Sequence, residues 1–313
     1  MTIDIKRLLR CGICGLAASG SAIGTASAAT ALQLTAGSEY SSGRYGGSTR
    51  TDTLVTPITA RLRWNHWSLR ASLPIVNLSG PADVTVLVGD DGGGDSSSSG
   101  EESSNSGSGS SGSGSGSDPD DGDDTAEEIE EELEDEAEDI ERYDANRNVT
   151  GIGDASLALT YSFNDIAGSA FYVDATGRVK FATGSERKGL GVGATDYAAT
   201  GELGWDSGLY GAYVGGGRRF LGDNQLLDRV DGWQAGGGAW VNVTPAVELG
   251  ANVQWRSASV RGDTHPASAD GTVTVRLSDR WRVSIAGGAG LSDGSADYFG
   301  GLTLLWNVAS TRR

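Results

Sequence analysis

Apolar and polar residues alternate with a period of two along most of this chain. Ile58, Ala60, Leu62 and Trp64 alternate with Thr59, Arg61 and Arg63. After Asn65 and His66 the alternation resumes, with Trp67, Leu69, Ala71, Leu73 and Ile75 set against Ser68, Arg70 and Ser72. Two such runs with two residues between them predict a β-hairpin. Val247, Leu249, Ala251, Val253 and Trp255 repeat the pattern, as do Trp281, Val283 and Ile285, and finally Tyr298, Gly300, Leu302, Leu304 and Trp306. The full set predicts an all-β chain of about twelve strands, near 31–41, 52–64, 67–76, 153–163, 170–182, 196–205, 208–220, 232–243, 246–257, 270–278, 281–291 and 296–307. Short connections follow the even strands (65–66, 164–169, 206–207, 244–245 and 279–280) and long ones follow the odd strands. An even strand number with tight turns at one end and long loops at the other is the signature of a transmembrane antiparallel up-and-down β-barrel.

Alternation alone also fits a sandwich, so the placement of the aromatics decides. Trp64, Trp67, Phe163, Phe171, Trp205, Trp281 and Trp306 fall on the apolar face beside a short turn or at the end of the last strand. That placement predicts one aromatic girdle at one membrane interface, whereas a sandwich core would hold its large rings mid-strand. Lipid tolerates no open sheet edge, so the strands must close on themselves. The polar face carries Arg61, Arg63, Arg70, Arg178, Lys180, Arg256, Arg276 and Arg282, against Asp174, Glu202 and Glu248. Such side chains suit a wet lumen, and the excess of basic groups predicts a weak preference for anions.

Composition alters this picture in two places. The 313 residues include 42 acids and 24 bases, for a formal charge of −18. Yet 21 of the carboxylates lie between Asp90 and Glu141, where there is no Lys or Arg, so the rest of the chain is close to neutral. No basic cluster points to nucleic acid. Residues 90–124 are Gly/Ser/Asp low complexity and predict a disordered acidic external loop. Thr125 to Arg142 places Ile129, Leu133, Ala137 and Ile140 at helical spacing, a helix weakened by its own repelling carboxylates. At the N-terminus, Lys6, Arg7 and Arg10, a short apolar stretch and Ala26-Ser27-Ala28 read as a secretory signal peptide over 1–28. Both cysteines, Cys11 and Cys14, fall inside it. The organisation that follows is a signal peptide (1–28), three barrel strands (29–89), the acidic insertion (90–149) and nine further strands (150–313).

Thr150-Gly-Ile-Gly-Asp154, Val179-Lys-Phe-Ala-Thr-Gly184, Gly189-Leu-Gly-Val-Gly193 and Thr195-Asp-Tyr197 resemble the outer-membrane channel family named for the meta-pathway of phenol degradation. The match covers about fifty residues, and Ala182 stands where that family usually has Pro. The resemblance implies a barrel of the twelve-strand class in the bacterial outer membrane, and passage of small compounds, aromatic ones among them. Phe299-x-Gly301-x-x-Leu304-x-Trp306 is similar to the C-terminal signal of outer-membrane barrels, which implies the barrel-assembly machinery as a partner beside outer-membrane lipid. A seven-residue tail after Trp306 departs from that signal.

Enzyme chemistry finds little support. There is no G-x-S-x-G, phosphate-binding P-loop or H-E-x-x-H motif. The two histidines, His66 in a short turn and His265 in a long loop, are not on lipid-facing strand positions, where a barrel phospholipase would need one. Asp118 to Gly122 and Asp144 to Asn148 lack the spacing of a calcium loop. No cofactor or metal is expected. The leading reading is a passive porin-like channel for small solutes. The alternatives are a non-conducting structural or surface-interaction barrel and, more weakly, a barrel enzyme.

Overall fold

In the computed structural model the described residues are 30–45, 47–80, 148–164, 166–223 and 227–311. The expected signal peptide and almost all of the expected acidic insertion lie outside them. Thirteen strand segments follow in chain order: β1 (Thr30–Gly43), β2 (Thr51–Trp64), β3 (Trp67–Ser79), β4 (Asn148–Ile152), β5 (Ser156–Phe163), β6 (Phe171–Lys180), β7 (Asp196–Asp206), β8 (Tyr210–Phe220), β9 (Gly232–Thr244), β10 (Val247–Arg256), β11 (Ala267–Arg276), β12 (Trp281–Gly290) and β13 (Tyr298–Thr311). Apart from β4 and β5, each strand pairs antiparallel with the next in the chain, and β13 returns to pair with β1, closing the sheet. Segments β4 and β5 lie end to end along β3, β4 against Ile75–Ser79 and β5 against Trp67–Ser72. They are two halves of one strand, so the structure is a closed barrel of twelve strands.

The fourth strand differs from the single run 153–163 that alternation suggests. It starts earlier, at Asn148, and is interrupted at Gly153–Ala155. The gap is bridged by the segment that follows β6. The Ala155 N–H donates to the Thr183 hydroxyl at 2.7 Å, that hydroxyl donates to the Gly153 carbonyl at 2.9 Å, and the Phe181 N–H donates to the Ala155 carbonyl at 2.8 Å. The interruption releases Asp154 from the ladder for another task described below.

Polarity is inverted relative to a soluble protein. Ser41, Thr53, Ser162, Asn252, Thr272, Thr274 and Ser284 are buried, while Ile58, Leu73, Leu203, Val214, Val253, Ile285 and Leu302 are exposed. The buried face is the inside of the cylinder, and the exposed face is the apolar outer wall a bilayer requires. Glycine makes room where large rings point inward. A Cβ at Gly204 would run into the Tyr172 ring, and one at Gly211 into Trp240.

Aromatic residues belt the outer wall at both ends. At the short-turn end Trp281 stacks on Trp306 with centroids 5.5 Å apart, Trp64 pairs with Trp67, Phe171 pairs with Trp205, and Trp67, Tyr161 and Phe163 form a T-shaped chain. Of the seven expected girdle residues, Trp67, Phe163, Phe171 and Trp281 are exposed at this end, and Trp64, Trp205 and Trp306 are half-buried there. Tyr161 and Tyr210 extend the belt. A second belt corrects the expectation of a single ring: Tyr40, Tyr197, Phe220, Trp233, Trp255 and Tyr298 are exposed at the long-loop end. They were missed because the long loops hide where each strand ends. Tyr298 and Trp306 stand about 26 Å apart along β13 at roughly 3.3 Å per residue, the scale of a hydrocarbon core.

Ile285 lies mid-strand on the outer wall, 57% exposed. Its replacement by Arg should cost about 2–4 kcal/mol of stability in lipid vesicles, while Tyr298→Arg at the belt should cost about 0–1 kcal/mol. Denaturant unfolding of the vesicle-inserted protein checks both, and equal costs at the two sites would contradict a bilayer around this wall.

Candidate functional site

Inward positions alternate with outward ones, so each hydrogen-bonded row of the sheet is a row of lumen side chains. Strands in a barrel tilt, so each such row climbs as it passes round the wall. One row reads Asn307, Gln33, Arg61, Arg70, Ala158, Arg178, Ala198, Arg219 and Gly232 across nine consecutive strands. It begins near the short turns and ends at the long loops. Four arginines therefore form a staircase along the bore, adjacent or two strands apart, which is about 5–10 Å per step. Ala158 and Ala198 between them leave space for the long side chains.

Rows of small polar groups flank the staircase. On one side run Thr35, Thr59, Ser72 and Ser156, leading to Lys180. On the other run Ser68, Thr160, Thr176 and Thr200, from Arg63 toward Gln234 and Arg256. Hydroxyl pairs knit neighbouring strands, Thr59 to Ser72 at 3.0 Å and Thr160 to Thr176 at 2.8 Å.

The eleven charged residues expected to line the lumen fall on strand positions that alternate with the exposed apolar ones. Arg61, Asp174, Lys180, Glu202, Arg256 and Arg282 are buried there, and Arg63, Arg70, Arg178, Glu248 and Arg276 are half-buried. Arg276 and Arg282 face each other across β11 and β12. The charge balance is closer than those eleven suggest. Glu39, Asp154, Asp196, Asp206, Arg219 and Asp270 also face inward, and buried Arg229 reaches in from the β8–β9 loop. Asp154 and Arg229 lie outside regular alternation, and Arg219 is masked by the glycine run before it, so periodicity did not select them.

The long-loop end is closed in by the β6–β7 connection, residues 181–195, which folds into the barrel. Asp154 anchors it: one carboxylate oxygen accepts from the Gly184 N–H at 2.9 Å and the other from the Val192 N–H at 3.1 Å. Lys180 Nζ lies 3.6 Å from Asp154 and 2.7 Å from Asp196. Arg229 grips Asp196 with both guanidinium nitrogens at 2.8 Å. Leu190 packs in an apolar cluster with Tyr45, Val55, Val76, Leu78 and Phe299 inside the mouth. Gly193, at φ +67°, turns the loop over Glu186, where no side chain would fit. The motifs that carry the family resemblance thus meet in one structure, the anchored inward loop.

Other loops are tied into the same collar. Arg261 pairs with Asp228 at 2.7 Å, and Arg50 with Asp297 at 2.9 Å. Arg44, Arg50, Leu291, Asp293 and Asp297 help to line a vestibule of about 760 Å³ above the mouth. In the β10–β11 loop, burial raises the Asp263 carboxyl to about 6. His265 Nδ1 accepts from the Ala258 N–H at 2.9 Å, a loop-structuring role.

No family model matches the chain, and no curated protein matches it. Among solved structures, a COG4313 outer membrane channel from Pseudomonas putida F1 aligns over 93% of this chain and 100% of its own, at 10% identity and a TM-score of 0.58. The NanC porin aligns over 89% and 100% at 9% identity and 0.47, and the KdgM porin over 88% and 99% at 7% and 0.45. At 10% identity, what the first of these shares with this chain is the fold.

Replacing Asp154 with Ala should free the inward loop. It leaves the buried Lys180 with one carboxylate fewer, and losing a partner in such a pair costs about 3–5 kcal/mol. Hydrogen exchange should show the Gly184 and Val192 amides losing protection while the β10–β12 amides keep theirs. Unchanged protection at Gly184 and Val192 would contradict the anchoring role.

Proposed function

We propose that the protein is a passive channel of the bacterial outer membrane for small hydrophilic solutes, with a weak preference for anions. In that reading the short turns face the periplasm and the long loops face outward, with outer-membrane lipid around the wall and the barrel-assembly machinery as the insertion partner. The observation that carries the proposal is the arginine staircase from Arg61 to Arg219, which sets four guanidinium side chains in one row that climbs the inner wall. The acids are distributed differently. Asp154 and Asp196 are held by Lys180 and Arg229, so their charge is already answered. The family resemblance is what favours aromatic solutes; the inner wall itself discriminates by charge. The inward loop narrows the mouth, so unitary conductance should be small.

The test is planar-bilayer recording of the refolded full chain in a potassium chloride gradient. The expected result is small steps whose reversal potential favours chloride. Replacing both Arg70 and Arg178 with Ala should move that potential toward cation preference by an amount that shrinks as salt rises. A bilayer that stays silent at every salt concentration would sink the channel reading and favour a non-conducting barrel. Steps with cation preference in the unaltered protein would refute the role given to the staircase.

A further inference from the structure

Near the short-turn end, a second row crosses three adjacent strands with a different chemistry. Ser162 on β5 is the register partner of Asp174 on β6, which is the partner of Glu202 on β7. All three point inward, with exposures of 0%, 6% and 4%. Ser162 Oγ, Asp174 Oδ1 and Glu202 Oε2 are each shut off from solvent without a well-formed hydrogen bond. Three consecutive members of one row thus each present an unsatisfied buried oxygen to the same stretch of wall.

Two carboxylates directly opposite on neighbouring strands repel, and burial strengthens the repulsion. Among the described residues, no Lys or Arg acts on either carboxylate strongly enough to offset it. On β6 itself the nearest base toward the long loops with the same facing is Arg178, about 13 Å along the strand. The Tyr172 hydroxyl donates to Glu202 Oε1 at 2.8 Å, which fixes that carboxylate and leaves Oε2 turned to the row. The next row member beyond Glu202 is Gly215, which has no side chain to fill the space.

We propose that Ser162, Asp174 and Glu202 form a binding site for a hard divalent cation, of which Ca²⁺ is the best fit. The donors are all oxygen, two are anionic, and the set contains no imidazole or thiolate, which excludes a preference for softer metals. Cross-strand Cβ atoms lie about 4.5–5.5 Å apart, close enough for side-chain oxygens to share one ion at about 2.3–2.6 Å. Water carried in with the ion fills the remaining places in the shell. Tyr172 is a positioning residue here: it orients Glu202 and does not itself ligate. A bound dication cancels the pair's negative charge, so the same site tunes the ion preference of the bore.

The full chain, refolded in zwitterionic vesicles, is unfolded with denaturant in Ca²⁺ and in chelator. Ca²⁺ should stabilise the unaltered barrel, by up to roughly hundredfold in the unfolding equilibrium at a hundredfold excess over Kd. The variant Asp174→Asn/Glu202→Gln keeps the shape and removes the charge, so the Ca²⁺ shift should vanish. Both proteins carry the acidic insertion, so cations gathered by its carboxylates cancel in the comparison. Ser162→Ala keeps the pair and should weaken the Ca²⁺ response about tenfold. Where the double variant does not fold, Tb³⁺ luminescence sensitised through Tyr172 in the unaltered protein, displaced by Ca²⁺ and lost in Asp174→Asn, gives the same answer. Equal Ca²⁺ shifts in both proteins would overturn the proposal. So would an unaltered barrel that ignores Ca²⁺ and is stabilised by acid instead, since that is the behaviour of a pair sharing one proton.

Discussion

Closure of the backbone ladder in a medium without water is the constraint from which the rest follows. In hydrocarbon each unpaired N–H or C=O is costly, so the sheet must meet itself, and here β13 does so against β1. Closure then fixes polarity: one face of every strand meets lipid, and the other has nowhere to be but the bore. The outer face is therefore apolar and belted with aromatics. The inner face collects what lipid rejects, including Arg61, Arg219 and Arg282. The break in the fourth strand, at Gly153–Ala155, obeys the same rule, because the Thr183 hydroxyl and the Phe181 amide satisfy the groups the break exposes.

Tilt is the second consequence of closure, and it organises the lumen. Residues far apart in the chain fall into one row, as Arg61 and Arg219 do five strand-to-strand steps apart. A basic row, two rows of hydroxyls and a short acidic row run beside one another up the wall. Segregation of this kind matters more than net charge. The inward groups nearly balance, yet the arginines of one row stand at successive levels of the wall, while the Asp174–Glu202 pair is confined to one end.

This division explains what could be read in advance. Period-two alternation reports which face a side chain takes, because parity is a local property, so the eleven charged residues and seven girdle aromatics could be assigned to faces from the chain alone. Register is not local. The staircase exists only once each strand is set against its neighbour, and nothing near Arg70 shows that Arg178 will share its row. Arg219 was hidden because Gly215–Gly217 precede it and interrupt the apolar side of the pattern. Asp154 was visible only through a family motif, since its carboxylate works from a gap in the strand where alternation has no meaning.

The inward loop shows how such a motif acquires physical content. Glycines at 184, 191 and 193 allow close backbone approach, and Asp154 supplies two acceptors for amides that would otherwise be buried unpaired. Lys180 is nearly enclosed, and it is tolerable there because Asp154 and Asp196 share it. Asp196 in turn is gripped by Arg229 from the next loop, which is coupled through Asp228 and Arg261 to a third. Fold, mouth and lumen are thus linked by charge pairs as well as by the apolar cluster around Leu190. Buried ions can serve as such links because each is answered by a partner, which offsets the cost of taking it out of water.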